Sequence, residues 1–65
     1  MTGEEAKTAL LKGGPVIHKD IIYKRIHAIR YTQQNGKIAV SLELLDRNNN
    51  SISVVPLKEA NLYQK

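Results

Sequence analysis

Apolar residues crowd both sides of Gln34-Asn35-Gly36-Lys37, from Ile21 to Tyr31 before it and from Ile38 to Leu45 after it. Asn-Gly tolerates the positive φ that a type I′ turn requires at both central positions. The pattern predicts a long antiparallel hairpin with strands over about 21–33 and 38–46, extended by a third strand over about 51–55. A two-residue Asn35-Gly36 loop pairs Gln34 with Lys37, and therefore Tyr31 with Val40 and Ile29 with Leu42. The strict alternation of Ile38, Val40, Leu42 and Leu44 then shares a face with Ile29 and Tyr31, and these six residues are the expected core. On the other face Ala28 opposes Glu43 and Arg30 lies near Ser41, which makes Arg30 and Glu43 diagonal neighbours.

The long strand changes phase along its length. Ile22 and Ile26 hold even positions, whereas Ile29 and Tyr31 hold odd ones. One inserted residue near His27-Ala28 puts all four on one face, which is the pattern of a β-bulge that also bends the strand. After the second strand, Asp46-Arg47-Asn48-Asn49-Asn50-Ser51 reads as a polar turn. For Ile52 and Val54 to join Leu42 and Leu44, its loop must be odd in length. A three-residue loop, Asn48 to Asn50, meets that condition with Asn50 in the left-handed position.

The flanks read as short elements. Thr2-Gly3-Glu4-Glu5 fits a capping box, Gly13 supplies a left-handed stop and Pro15 prevents continuation, so a helix spans about 3–12. Pro15 to His18 is a short first strand placed at an edge by its proline. Lys19-Asp20 is a tight turn. Pro56 to Glu59 reads as one 3₁₀ turn and 60–63 as a short closing strand. Bent strand, 3₁₀ turn and closing strand together resemble the SH3-like small barrel. The expected fold is therefore mainly β: one domain over 1–65, an SH3-like barrel of about five antiparallel strands with a short N-terminal helix.

Sixty-five residues bury only roughly 60% of the unfolded surface, so such a domain is marginal alone. The chain has no cysteine, which removes disulfides and thiolate metal sites. Oligomerisation is the remaining source of buried area, and a homo-oligomer is expected. The N-terminal segment has no basic region followed by an apolar core, and no run approaches the roughly 20 apolar residues of a membrane helix. The expectation is a soluble protein in the cytoplasm, with no membrane partner.

The net charge of +4 changes the picture through its placement. Residues 1–17 and 38–65 are each balanced, whereas 18–37 carry Lys19, Lys24, Arg25, Arg30 and Lys37 against Asp20 alone. A local positive field favours an anionic partner. Arginine gives bidentate contacts to phosphate, and tyrosine offers a stacking plane for a base. The candidate ligand-binding residues are Tyr23, Lys24, Arg25, His27, Arg30 and Lys37. His18 and His27 belong to no catalytic or metal-binding spacing, the serines sit in or beside strands, and Gly13-Gly14 follows a helix where a phosphate loop precedes one. No enzyme, cofactor or metal is expected.

Glu5-Ala6-x-x-x-Leu10-x-x-Gly13-x-x-Val16 resembles the opening of small phage-encoded proteins of Gram-positive hosts, among them the anti-Thoeris sponges, which sequester nucleotide signals of bacterial immunity in oligomers. The resemblance covers about twelve residues. It implies a phage or prophage accessory protein with an anti-defence role in the cytoplasm of a bacterial host cell. The tryptophan that family carries after its first strand is absent here, so its ligand residues do not transfer. The expected function is non-enzymatic capture of an anionic nucleotide-type ligand. Alternatives are an SH3-like module that binds DNA or RNA through the same residues, and a protein-interaction module with Ile26 and Leu45 facing outward together.

Overall fold

A capped helix opens the chain. In the computed structural model, which describes residues 1–63, helix α1 spans Gly3–Lys12. Thr2 Oγ1 accepts from the Glu5 amide at 3.1 Å, and the Thr2 amide donates to Glu5 Oε1 at 2.8 Å. These bonds satisfy donors that a helix start otherwise leaves open. Gly13 takes φ 78° and its amide donates to the Ala9 carbonyl at 2.7 Å, ending the helix where a side chain would be strained. The helix packs chiefly on the long strand β3, described next, and buries Ala6 and Ala9.

Six strands follow among the described residues: β1 Val16–His18, β2 Ile21–Tyr23, β3 Arg25–Gln34, β4 Lys37–Leu45, β5 Ile52–Pro56 and β6 Asn61–Leu62. A 3₁₀ turn, Leu57–Glu59, precedes β6. The strands form two three-stranded antiparallel sheets, ordered β2-β1-β6 and β3-β4-β5. The expected barrel does not close. The run from Ile21 to Gln34 is divided at Lys24, so its first part belongs to one sheet and its second to the other. At the far side, β5 leaves through the 3₁₀ turn and, among the described residues, does not pair with the first sheet. Pro15 also stands differently from expectation: β1 is the central strand of its sheet, and the proline is tolerated because it precedes the paired residues.

The central hairpin has the register read from the sequence. Gln34 pairs with Lys37, Tyr31 with Val40, Ile29 with Leu42 and Ala28 with Glu43, and the ladder shifts between Ile26 and Ala28. His27 is thus the extra residue of a bulge, and Ile26 lands beside Leu44 on the core face. Asn35 and Gly36 both have positive φ, at 53° and 78°. The β1–β2 turn repeats this geometry with Lys19 at 49° and Asp20 at 65° between the paired His18 and Ile21. Arg30 Nε stands 3.6 Å from Glu43 Oε2.

The β4–β5 connection differs from expectation. Leu45 pairs with Ile52 and Leu42 with Val55, so the intervening segment is even in length, and Asn49 rather than Asn50 is left-handed, at φ 60°. The Asp46 amide donates to the Ser51 carbonyl and the Asn49 amide to the Asp46 carbonyl, each at 2.9 Å, so the loop runs from Arg47 to Asn50, one residue longer than expected. A one-residue change of register turns every side chain over. Ser53 and Val55 therefore face the core, while Ile52 and Val54 are 43% and 52% exposed.

The core gathers Ile26, Leu42, Leu44, Val16 and Val55 between the sheets and α1, with Ala6, Ala9 and Ala60 admitting close approach. Of the six expected core residues, Leu42 and Leu44 are buried, Ile29 and Val40 are half-buried, and Tyr31 and Ile38 are 61% and 71% exposed. The reason is length. β5 ends with Pro56 opposite Ser41, so the β3–β4 ribbon continues past its third strand and its tip is left exposed among the described residues. Ile26, 1% exposed, is likewise not the outward-facing interface residue of the third expectation.

Candidate functional site

The site lies where the chain passes from one sheet to the other. Val16 pairs with Tyr23 and with Leu62, and one residue further along the same ladders Pro15 stands between Lys24 and Tyr63. The Tyr63 amide donates to the Pro15 carbonyl at 3.1 Å. Proline keeps one bond of this pair, its carbonyl accepting from Tyr63, and lacks the N–H that would return the second, so the β1–β6 ladder ends here. Side chains alternate along a strand, so Lys24, Pro15 and Tyr63 share a face with Ile22 and Ile17.

Across from this row sits the β4–β5 loop. The Lys24 amide donates to the Leu45 carbonyl at 2.9 Å, which holds the start of the loop against the strand crossing. Lys24 Nζ donates to Asn49 Oδ1 at 3.2 Å. Arg47, in the same loop and exposed, completes an open cleft of about 520 Å³ lined by Pro15, Ile22, Tyr23, Lys24, Arg47 and Tyr63. Its floor is apolar and aromatic, its rim carries two cations, and among the described residues no carboxylate lines it. Tyr23 is buried, so its ring position is fixed by packing, while Tyr63 is half-buried.

The sequence-predicted site residues divide. Tyr23 and Lys24 line the cleft. Arg25 pairs with Leu45 on the outer face of the second sheet, and Arg30 lies on that same face with Glu43 beside it. His27 is exposed at the bulge, and Lys37 is exposed at the hairpin turn. The six residues therefore do not form one site. His18 lies at the opposite end of β1 from the cleft, with Nε2 3.4 Å from Glu59 Oε1.

Arg47 and Tyr63 were missed by sequence reasoning. A signal for Arg47 was present. Counting the hairpin back through the bulge sets Leu45 against Arg25, so the loop after Leu45 must arrive beside Lys24. Its charge was hidden because 38–65 balances as a whole. For Tyr63 no local signal exists, since its place depends on β6 returning to β1. The chain matches no protein-family model, no curated protein and no solved structure.

Proposed function

We propose that this chain is a non-enzymatic binding protein for an anionic, nucleotide-type ligand held in the Tyr23–Tyr63 cleft. One observation carries the reading: Lys24 and Arg47 share a single cleft with two tyrosines and with no carboxylate among its described lining residues. The cations suit phosphate oxygens, Arg47 through paired N–H donors and Lys24 as a point charge. Tyr63, half-buried, offers aromatic surface to a base, and the buried Tyr23 backs the cleft wall. The volume of about 520 Å³ falls within the range of about 300–1,000 Å³ usual for small-molecule sites. Sequestration of a host signal, the anti-defence role implied by the Glu5 to Val16 resemblance, is the biological form that such capture would take.

Calorimetric titration with adenosine monophosphate, adenosine and inorganic phosphate tests the reading. The nucleotide is expected to bind at least tenfold more tightly than either fragment, because only it engages cations and rings together. Absence of binding across mono-, di- and cyclic dinucleotides would overturn it. A second reading, capture of single-stranded nucleic acid, is favoured by the cleft being open to solvent, which lets a strand run through. That reading requires oligonucleotide binding that weakens steeply with salt.

A further inference from the structure

Strand β5 presents an unusual edge. Among the described residues it pairs only with β4. Edge strands are ordinarily protected by charge, by proline, by a bulge or by a covering element, and β5 has of these only Pro56 at its end. Here every residue from Asn48 to Leu57 is uncharged in a chain of net charge +4. The side chains are also disposed unusually. On a half-buried strand the apolar residues face the core and the polar ones face water. In β5 Ser53 faces inward while Ile52 and Val54, 43% and 52% exposed, face outward, Ile52 beside the half-buried Leu45 and Val54 beside Glu43.

The backbone is equally available. The Asp46 amide bonds to the Ser51 carbonyl, and paired residues alternate between bonded and non-bonded along an antiparallel ladder. Ser53 and Val55 thus point their N–H and C=O groups at β4, and Ile52 and Val54 point theirs away from it. Pro56 also points away, and having no N–H it limits the usable edge to Ile52 and Val54.

We infer that β5 is a self-association edge, which pairs antiparallel with β5 of a second copy about a two-fold axis at Ser53. That register sets Ile52 opposite Val54 of the partner copy and Val54 opposite the partner's Ile52. It supplies reciprocal backbone hydrogen bonds at both pairs, keeps Pro56 out of them, and joins two three-stranded sheets into one six-stranded sheet. The outward Ile52 and Val54 become apolar cross-strand pairs. A second copy is the occupant because the edge is neutral, while the chain's net charge of +4 arises in residues 18–37, outside β5. Two copies meet there without like-charge repulsion, whereas an acidic partner gains nothing from an uncharged strand. The inference is independent of the ligand reading, since no residue of β5 lines the cleft.

Sedimentation and native mass spectrometry across a concentration series test it. The parent chain is expected to give a species of twice the chain mass. Val54→Lys is expected to weaken its formation at least tenfold with an unchanged circular dichroism spectrum, since Val54 is exposed in the single chain. Because the chain has no cysteine, register can be read by cross-linking. The Ile52→Cys/Val54→Cys double variant should form an intermolecular disulfide under mild oxidation, and Val54→Cys alone should not, its diagonal partner lying beyond disulfide reach. A monomer at every concentration, a dimer indifferent to Val54→Lys, or efficient linkage by Val54→Cys alone would each overturn the proposed pairing.

Discussion

Lys24 Nζ donates to Asn49 Oδ1 at 3.2 Å, joining the residue at which the chain leaves one sheet to the loop that caps the other. Asn49 is itself held at φ 60° with its amide on the Asp46 carbonyl. The loop therefore has a defined shape over the cleft, and Arg47 projects from that shape.

The first prediction concerns which cations bind. A hydrogen bond to a charged group contributes about 1.5–3 kcal/mol, and about 1.4 kcal/mol is tenfold in affinity. Lys24→Ala with Arg47→Ala should therefore weaken nucleotide binding by about a hundredfold or more. Arg25→Ala with Arg30→Ala, on the outer face, should change it by less than about threefold. Parallel titrations decide the matter, and equal losses in both double variants would place the ligand elsewhere.

The second prediction contrasts the two I′-like turns. Gly36 has φ 78°, a backbone conformation that strains any side chain, and a β-carbon there would stand in open space, so the cost of Gly36→Val begins with the backbone. That penalty is about 1–2 kcal/mol. For a domain of this size about 1 kcal/mol corresponds to roughly 4–8 °C in melting temperature. Conversely, Lys19 and Asp20 hold left-handed conformations without glycine, at φ 49° and 65°. Replacing them together as Lys19→Asn/Asp20→Gly should raise the melting temperature by a few degrees. Melts of both variants test the pair, and changes of the same sign would refute the assignment.

The hairpin was legible because its determinants are local. Asn35-Gly36 fixes the turn, the turn fixes the register, and the phase change around His27 reports the bulge. The capping box and Gly13 are equally local. Parity of the β4–β5 connection was not legible, because Ile52 and Val54 look like core residues and the fold leaves them outside. Closure of the barrel failed for a related reason. Whether β5 reaches the first sheet depends on how far Lys24 swings the long strand, and no residue pattern within either strand encodes that. The cleft was half legible: Tyr23 and Lys24 sit in the basic segment, whereas Arg47 and Tyr63 arrive through tertiary pairing.

The third prediction separates exposed from buried helix positions. Leu11 is 87% exposed and Ala6 is fully buried against the core. Leu11→Lys should leave stability within about 0.5 kcal/mol, as surface substitutions usually do. Ala6→Leu should destabilise by about 1–3 kcal/mol, because its added atoms have no space between α1 and the sheet. Urea unfolding of both variants checks this. A tolerated leucine at position 6 would mean that the helix docks more loosely than its alanines indicate.

The last prediction follows from the capping box. The hydrogen bond from the Thr2 amide is the first cause holding the Glu5 carboxyl below its ordinary value of 4.5, and the Thr2 side chain and the N-terminal charge act in the same direction. A carboxyl with a depressed folded value binds protons more weakly in the folded than in the unfolded chain. Its ionisation therefore stabilises the fold above the unfolded value, and that contribution is lost as pH falls through the folded one. Glu5→Gln preserves a hydrogen-bond acceptor at this position but removes the charge. The variant should melt below the parent at pH 7. The gap should narrow as the pH drops below about 4.5 and vanish once the parent's own carboxyl is protonated. Thermal melts of parent and variant across the acid range measure that gap directly. A gap of constant size at every pH would assign the role of Glu5 to its shape and hydrogen bond, with no part for its charge.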